Sequence, residues 1–209
     1  MSMATAPPSR RERKKNATRD AIHEAAVSLT AELGLAAVTV EAITERADVA
    51  PRTFFNHFPS KVHAVIGKDP DRTARVRAAL ESRPAAEAPL VALRHVLFEE
   101  FLPPEATVER ILRQFRVVRA EPMLLSTLHA EFEETERVMV EAIAARTGLN
   151  TDTDVYPALV VSVAVKAMRI VIMRWCEAGG HNPLEPGVTE VFDHLARGLV
   201  APAPKEHAQ

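Results

Sequence analysis

The sequence predicts an all-α protein in which a small N-terminal three-helix domain is followed by a larger C-terminal helical bundle. Three observations predict it. Only seven glycines occur in 209 residues and alanine is abundant, a balance that favours helices over a turn-rich β fold. Apolar residues recur at steps of three and four rather than in alternation, the period of a helix with one buried face. Prolines and glycines gather between these stretches, where they punctuate helices.

Residues 1–12 read as a flexible basic arm, with Pro7 and Pro8 near its start. A first helix is expected over residues 13–33, with Ile22, Ala25, Ala26, Leu29 and Leu33 on one face. Gly34 is placed to end it in a left-handed conformation. Thr39 is a good N-cap for a second helix over residues 40–47, whose buried stripe is Val40, Ile43 and Ala47. Asp48-Val49-Ala50 is too short to join distant elements, and Pro51 suits the first position of a new helix. That helix, residues 51–58, is stopped by Pro59, and Ser60 caps another that starts at Lys61. Two short helices on a tight turn, braced by a longer one before them, make a helix-turn-helix. The N-terminal domain is therefore placed at residues 13–67.

The second domain is placed at residues 68–201. Lys68-Asp69-Pro70 breaks the chain, and helices are expected over residues 71–83, 90–102, 108–119, 123–146, 155–178 and 188–199. Their separators are Pro84 to Pro89, Pro103-Pro104, Glu121-Pro122, Gly148-Leu149-Asn150 and Gly179 to Gly187. Residues 202–209 read as a disordered tail.

Charge divides along the same line. The net charge is −2. Residues 1–68 carry ten Lys/Arg against seven Asp/Glu, whereas the rest carries sixteen against twenty-one. Arg10, Arg11, Arg13, Lys14, Lys15 and Arg19 concentrate the excess. A local cation cluster on an acidic chain suits a polyanion, although a solvated tail has the same composition.

Several function classes are disfavoured. No Gly-rich phosphate loop, Cys-x-x-Cys, His-Glu-x-x-His or nucleophile elbow is present, so an all-α enzyme is only the outlying alternative and no catalytic residue is assigned. His129 and Glu133 stand four apart, half of a metal site or a solvated face, and neither a metal nor another cofactor is expected. The lone Cys176 excludes an internal disulfide framework and fits a reducing cytoplasm. It reads as a buried structural thiol or, alternatively, a redox sensor. No secretory signal is legible. The apolar run from Tyr156 to Cys176 carries Lys166, Arg169 and Arg174, which suits a buried helix better than a membrane span.

Residues 16–62 contain Thr39-x-x-x-Ile43-x-x-x-Ala47-x-Val49, then Thr53-Phe54-Phe55-Asn56-His57-Phe58-Pro59-Ser60-Lys61. This pattern resembles the DNA-binding domain of the TetR family of bacterial transcriptional regulators. Two positions depart from it: Asp48 replaces the usual turn glycine, and Phe55 replaces a tyrosine that often touches phosphate. Asp48 tolerates a left-handed backbone, whereas Phe55 has no hydroxyl to donate, which leaves packing or a thymine methyl. The break at Gly67-Lys68-Asp69-Pro70, and Arg119-Ala120-Glu121-Pro122-Met123 through Arg174-Trp175, look like a mycofactocin-regulator-like subgroup.

The resemblance implies a DNA-binding, ligand-responsive repressor acting as a homodimer in the cytoplasm. A major-groove reader sets three or four side chains of one helix against base edges. In the helix from Pro51, Phe54 and Phe58 face the core with Val49, leaving Arg52, Thr53, Phe55, Asn56 and His57 for DNA. Arg52 matches a guanine edge and Asn56 an adenine edge or a phosphate. His57 and Lys61 are phosphate ligands by the resemblance, and Thr39 is a further candidate.

One such helix reads too few base pairs for specificity in a genome, so a twofold dimer on a pseudo-palindromic double-stranded site is expected. The resemblance puts its interface on the last two helices, where Ala164, Val165, Met168, Ile172 and Leu195 are contacts or intrachain core. It also implies a small apolar or amphiphilic effector. Phe98, Phe101, Phe115, Met139, Met168, Met173 and Trp175, with Met123 and Phe132, are candidate pocket linings or ordinary core. A metal- or redox-sensing regulator would keep the DNA contact and change only the effector.

Overall fold

The computed structural model describes residues 9–101 and 107–199. Ten helices make up the described residues: α1 (Arg10–Leu33), α2 (Val40–Arg46), α3 (Pro51–His57), α4 (Lys61–Ile66), α5 (Arg72–Ser82), α6 (Pro89–Phe101), α7 (Val108–Ala120), α8 (Pro122–Thr147), α9 (Val155–Glu177) and α10 (Glu185–Ala196). The chain divides into two compact units. The first comprises Met1–Asp69 with Thr107–Glu131, and the second Pro70–Ala106 with Phe132–Gln209. A single cut after residue 67 therefore misses one feature: α7 and the start of α8 belong with the N-terminal helices. Arg10, Arg11 and Glu12, expected in a flexible arm, already lie in α1. Residues 1–8 and the expected tail at 202–209 fall outside the described residues.

In the first unit, α1 packs against α2, α4 and α7. Its inward stripe is Ile22, Ala25, Ala26 and Leu29, all at most 5% exposed, and it meets Ile43, Phe54, Phe58, Ala64 and Val65. Val117, Val118 and Leu124, from α7 and α8, complete this core. Leu33, expected on the same stripe, is 56% exposed, because Gly34 ends the helix there at φ 77. Val40, Ala47 and Val49 pack partly buried against the core.

Local chemistry sets the short helices. The Thr39 hydroxyl accepts from the amide of Ala42 at 3.1 Å and starts α2. Asp48 holds the turn to α3 at φ 52, while the Val49 amide closes it onto the Thr44 carbonyl at 3.0 Å. Ser60 caps α4, whose far end is finished by Gly67 at φ 69. The carbonyls at that end would be orphans in so short a helix. The Gly67 amide reaches the Ala64 carbonyl at 3.3 Å, and side chains of α1 and α7 do the rest: His23 donates to Ala64 at 2.7 Å, Gln114 to Val65 and Ile66 at 3.4 and 3.2 Å, and Arg19 to Gly67 at 3.2 Å.

The second unit has its own core, built from Val76 and Leu80 of α5, Leu93, Val96 and Leu97 of α6, Met139 and Ile143 of α8, Val161, Val165 and Met168 of α9, and Val188 and Phe192 of α10. Helix α6 lies against α5, α9 and α10, and α9 against α10. The turn from α5 to α6 is held by one side chain. The Arg146 guanidinium donates to the carbonyls of Leu80, Arg83, Pro84 and Glu87 at 2.6–3.3 Å, and an Arg83–Glu87 ion pair lies in the same turn.

Candidate nucleic-acid interface

Helix α3 is seven residues long and opens on Pro51 after an extended Ala50. Proline fits there because its missing N–H and fixed φ cost a helix start nothing. Phe54 is fully buried and Phe58, in extended backbone just after the helix, is 1% exposed. Their rings anchor the helix by one side, each burial contributing roughly 2–3 kcal/mol. The opposite side is left to solvent: Pro51, Arg52, Phe55 and Asn56 are all exposed. The 51/55 and 52/56 spacings put the four side by side. Arg52 and Asn56 have no hydrogen-bond or ion-pair partner among the described residues. Phe55 is 60% exposed, its ring edge-on to Phe54 with centroids 5.3 Å apart. Thr53 is half-buried.

His57 ends the helix half-buried, and its Nδ1 is enclosed without a partner. Burial, then the positive charges of Arg19 and Lys15, lower its pKa below the ordinary imidazole range. At neutral pH the ring therefore offers a phosphate an N–H but no charge. Thr39 is exposed, and its oxygen accepts the α2 capping bond, so its O–H remains able to donate. Lys61 departs from expectation. Its ammonium sits on the carbonyls of Leu35 at 2.9 Å and Val38 at 2.6 Å, with that of Ala36 at 3.5 Å. An ammonium has three N–H donors: two are engaged at ordinary hydrogen-bond length by Leu35 and Val38, and the third has only the long Ala36 contact.

Sequence reasoning also undervalued α1. Arg10, Arg11, Arg13, Lys14 and Lys15 are exposed in the first turns of α1, a cationic helix end. Arg19 stacks 5.0 Å from the centre of the Phe58 ring. The four-residue step from Lys15 to Arg19 was the available signal, since it places both on one helix face.

Of the residues expected around an effector, Met139, Met168 and Phe98 share the second core. Met139 and Met168 are 1% and 0% exposed in the second core, with Phe98 packed half-buried against it. Phe115 belongs to the first unit, with the Arg119 guanidinium 5.8 Å from its ring centre. Met173 is 44% exposed. Trp175 donates its indole N–H to the Asn182 carbonyl at 2.6 Å. The Phe101 side chain and Leu102 fall outside the described residues. Burial holds the Cys176 thiol up at about 11, so little thiolate forms and a redox role loses its reactive species. Among the described residues no three His, Cys, Asp or Glu side chains form a metal-binding group.

The interface candidates on α9 and α10 mostly face inward. Ala164, Val165 and Met168 are at most 3% exposed, and Ile172 and Leu195 pack partly buried on the same core. The outer stripe of α9 is different: Val155, Leu159, Ile170 and Met173 are between 39% and 75% exposed, with Ser162 and Lys166 between them.

Two family profiles match the chain. Residues 22–63 match "Bacterial regulatory proteins, tetR family", and residues 87–200 match "MftR C-terminal domain". Among curated proteins, the chain is similar to "HTH-type transcriptional regulator TcmR" of Streptomyces glaucescens, 36% identical over 174 residues that cover 80% of this chain and 77% of the relative. Two solved structures share its fold. FadR of Bacillus subtilis in complex with stearoyl-CoA aligns with a TM-score of 0.60 at 17% identity, covering 86% of this chain and 98% of that one. SmeT of Stenotrophomonas maltophilia with triclosan aligns with a TM-score of 0.57 at 20% identity, covering 92% and 99%.

Proposed function

Because the chain belongs to the TetR family of bacterial regulatory proteins, and is a transcriptional regulator rather than an enzyme, we propose that it reads a pseudo-palindromic operator as a homodimer through α3 and is released by a small apolar or amphiphilic effector. The observation that carries the DNA contact is the outward side of α3. Two polar side chains suited to base edges, Arg52 and Asn56, stand there without protein partners beside the exposed Phe55. Arg52 addresses guanine through its fork, Asn56 addresses adenine or a phosphate, and Phe55 packs on thymine methyls. Thr39, Thr53 and the neutral His57 donate to backbone oxygens, and the cationic turns of α1 supply the charge that neutralises phosphates. Pro51 opens the helix at the groove.

The second copy is assigned to the outer stripe of α9. An 18-residue window of this helix has a mean hydropathy of 1.8 yet is only 33% buried within the chain. A stripe of that kind is stable in water when another apolar surface covers it. The effector is assigned to the second unit, whose core methionines can repack around an apolar guest. The stearoyl-CoA and triclosan bound by the FadR and SmeT structures support that chemical class. Effector binding favours a dimer whose reading helices no longer match the operator, which is repression relieved by ligand in the cytoplasm.

The test is selection of a preferred duplex from a random pool, followed by fluorescence anisotropy with wild type and Arg52→Ala. Wild type is expected to prefer the selected duplex. Arg52→Ala is expected to lose about 1–3 kcal/mol of that preference while keeping binding to random DNA. A wild-type protein that selects no site overturns the proposal.

A further inference from the structure

The outer stripe of α9 is apolar at both ends and polar in its middle. Val155 and Leu159 precede Ser162 and Lys166, and Ile170 and Met173 follow them. Steps of four and three put all six on one helix face. Lys166 is exposed and has no hydrogen-bond or ion-pair partner among the described residues. A second copy laid on this stripe takes its ammonium out of water, and an ammonium buried without a counter-charge strongly opposes association.

Helix α10 carries the complementary charge. Its exposed side presents Glu190 and Asp193, neither of them partnered among the described residues. The connection after Glu177 is short, so α10 runs back along α9, on which it packs. A Cβ at Gly187 would stand 3.2 Å from a Val171 methyl carbon, a close approach that fixes the register of the two helices. At about 1.5 Å per residue in both, Asp193 comes level with about Val165 and Glu190 with about Met168. Lys166 and Asp193 thus stand nearly level in one chain and make no ion pair there.

Resting on the homodimer reading above, we propose that Lys166 of each copy pairs with the partner subunit's Asp193, and that these two ion pairs select a second copy over any other apolar face. A twofold axis through the middle of the stripe returns the level of Lys166 to within a few residues of itself. Asp193 lies nearer that middle than Glu190 does, which brings it within reach of the long lysine stem. An apolar surface with no carboxylate at that level buries Lys166 unpaired and is rejected.

The test reverses the charges in the full chain and follows association by sedimentation over a range of concentrations. Lys166→Asp brings carboxylates together and Asp193→Lys brings ammoniums together, so each alone is expected to weaken self-association at least about tenfold. Mixed one to one, the two variants regain both ion pairs in a heterodimer, which is expected to form about as tightly as wild type. Rescue by the two changes in one chain, but not by the mixture, would place the pair inside a protomer and overturn the inference. Single reversals that associate as wild type does also overturn it. Lys166→Met adds a test of sign: it strands Asp193 and weakens the dimer if the pair exists, whereas a dimer tightened by methionine shows Lys166 buried unpaired and overturns the inference. A wild type that stays monomeric at every concentration is a separate failure, since it removes the homodimer itself.

Discussion

His23 is a titratable side chain wholly enclosed in the first core, and it stays neutral there. Its Nδ1–H donates to the Ala64 carbonyl at 2.7 Å, and burial lowers its pKa from 6.5 to about 4. Unfolded, the ring takes its proton near 6.5. Between those values the unfolded chain binds more protons, so stability is full above about pH 6.5 and is lost as pH falls toward 4. The gap corresponds to about 3 kcal/mol. His23→Gln, which keeps an N–H for Ala64, is expected to flatten this part of a melting-temperature profile against pH. An unchanged profile would locate the acid sensitivity elsewhere. At this scale the site was only partly legible. Arg52, Phe55 and Asn56 could be placed because their exposure follows from helical spacing around Phe54. The seat of Lys61 and the Arg19 contact to Phe58 join residues 23–39 positions apart, and no local pattern encodes such a meeting.

Helices were legible where they start and stop on local signals. Thr39, Ser60, Pro51, Gly34 and Gly67 each act within a turn of their own position, so the expected bounds lie within about three residues of those observed. What each helix packs against was less legible. Helix α9 is apolar on several sides, so its period alone could not say that Ala164, Val165 and Met168 face the core while Leu159, Ile170 and Met173 face out. Helix α7 carries Val117 and Val118, which fit either unit by composition and turn out to close the first core. The α5–α6 turn shows an element held by a distant side chain. Arg146→Met removes four hydrogen bonds from a cation to carbonyls and is expected to destabilise the second unit by about 2–3 kcal/mol. Urea unfolding would register it as a lower midpoint, and a midpoint equal to wild type would show that the turn holds without the guanidinium.

For the whole molecule, the first question is what covers α9. Leu159→Asp and Ile170→Asp place a charge on the outer stripe without touching the chain's own core. Each is expected to weaken self-association about a hundredfold, the range of a central interface residue, and to lower operator affinity in step. Sedimentation at several concentrations reads the first effect and anisotropy the second. A wild-type protein that is monomeric at every concentration, or variants that associate as wild type does, would remove α9 from the interface. The division into units carries a further consequence. The first unit takes its last pieces from Thr107–Glu131, so the 37 residues of Pro70–Ala106, which belong to the other unit, are made between its two parts. On the ribosome, at about 5–20 residues per second, the N-terminal helices wait several seconds for the segment bearing Val117, Val118 and Leu124. A chain cut short before α7 lacks Val117, Val118 and Leu124, and is expected to hold its N-terminal helices less firmly than the full chain does.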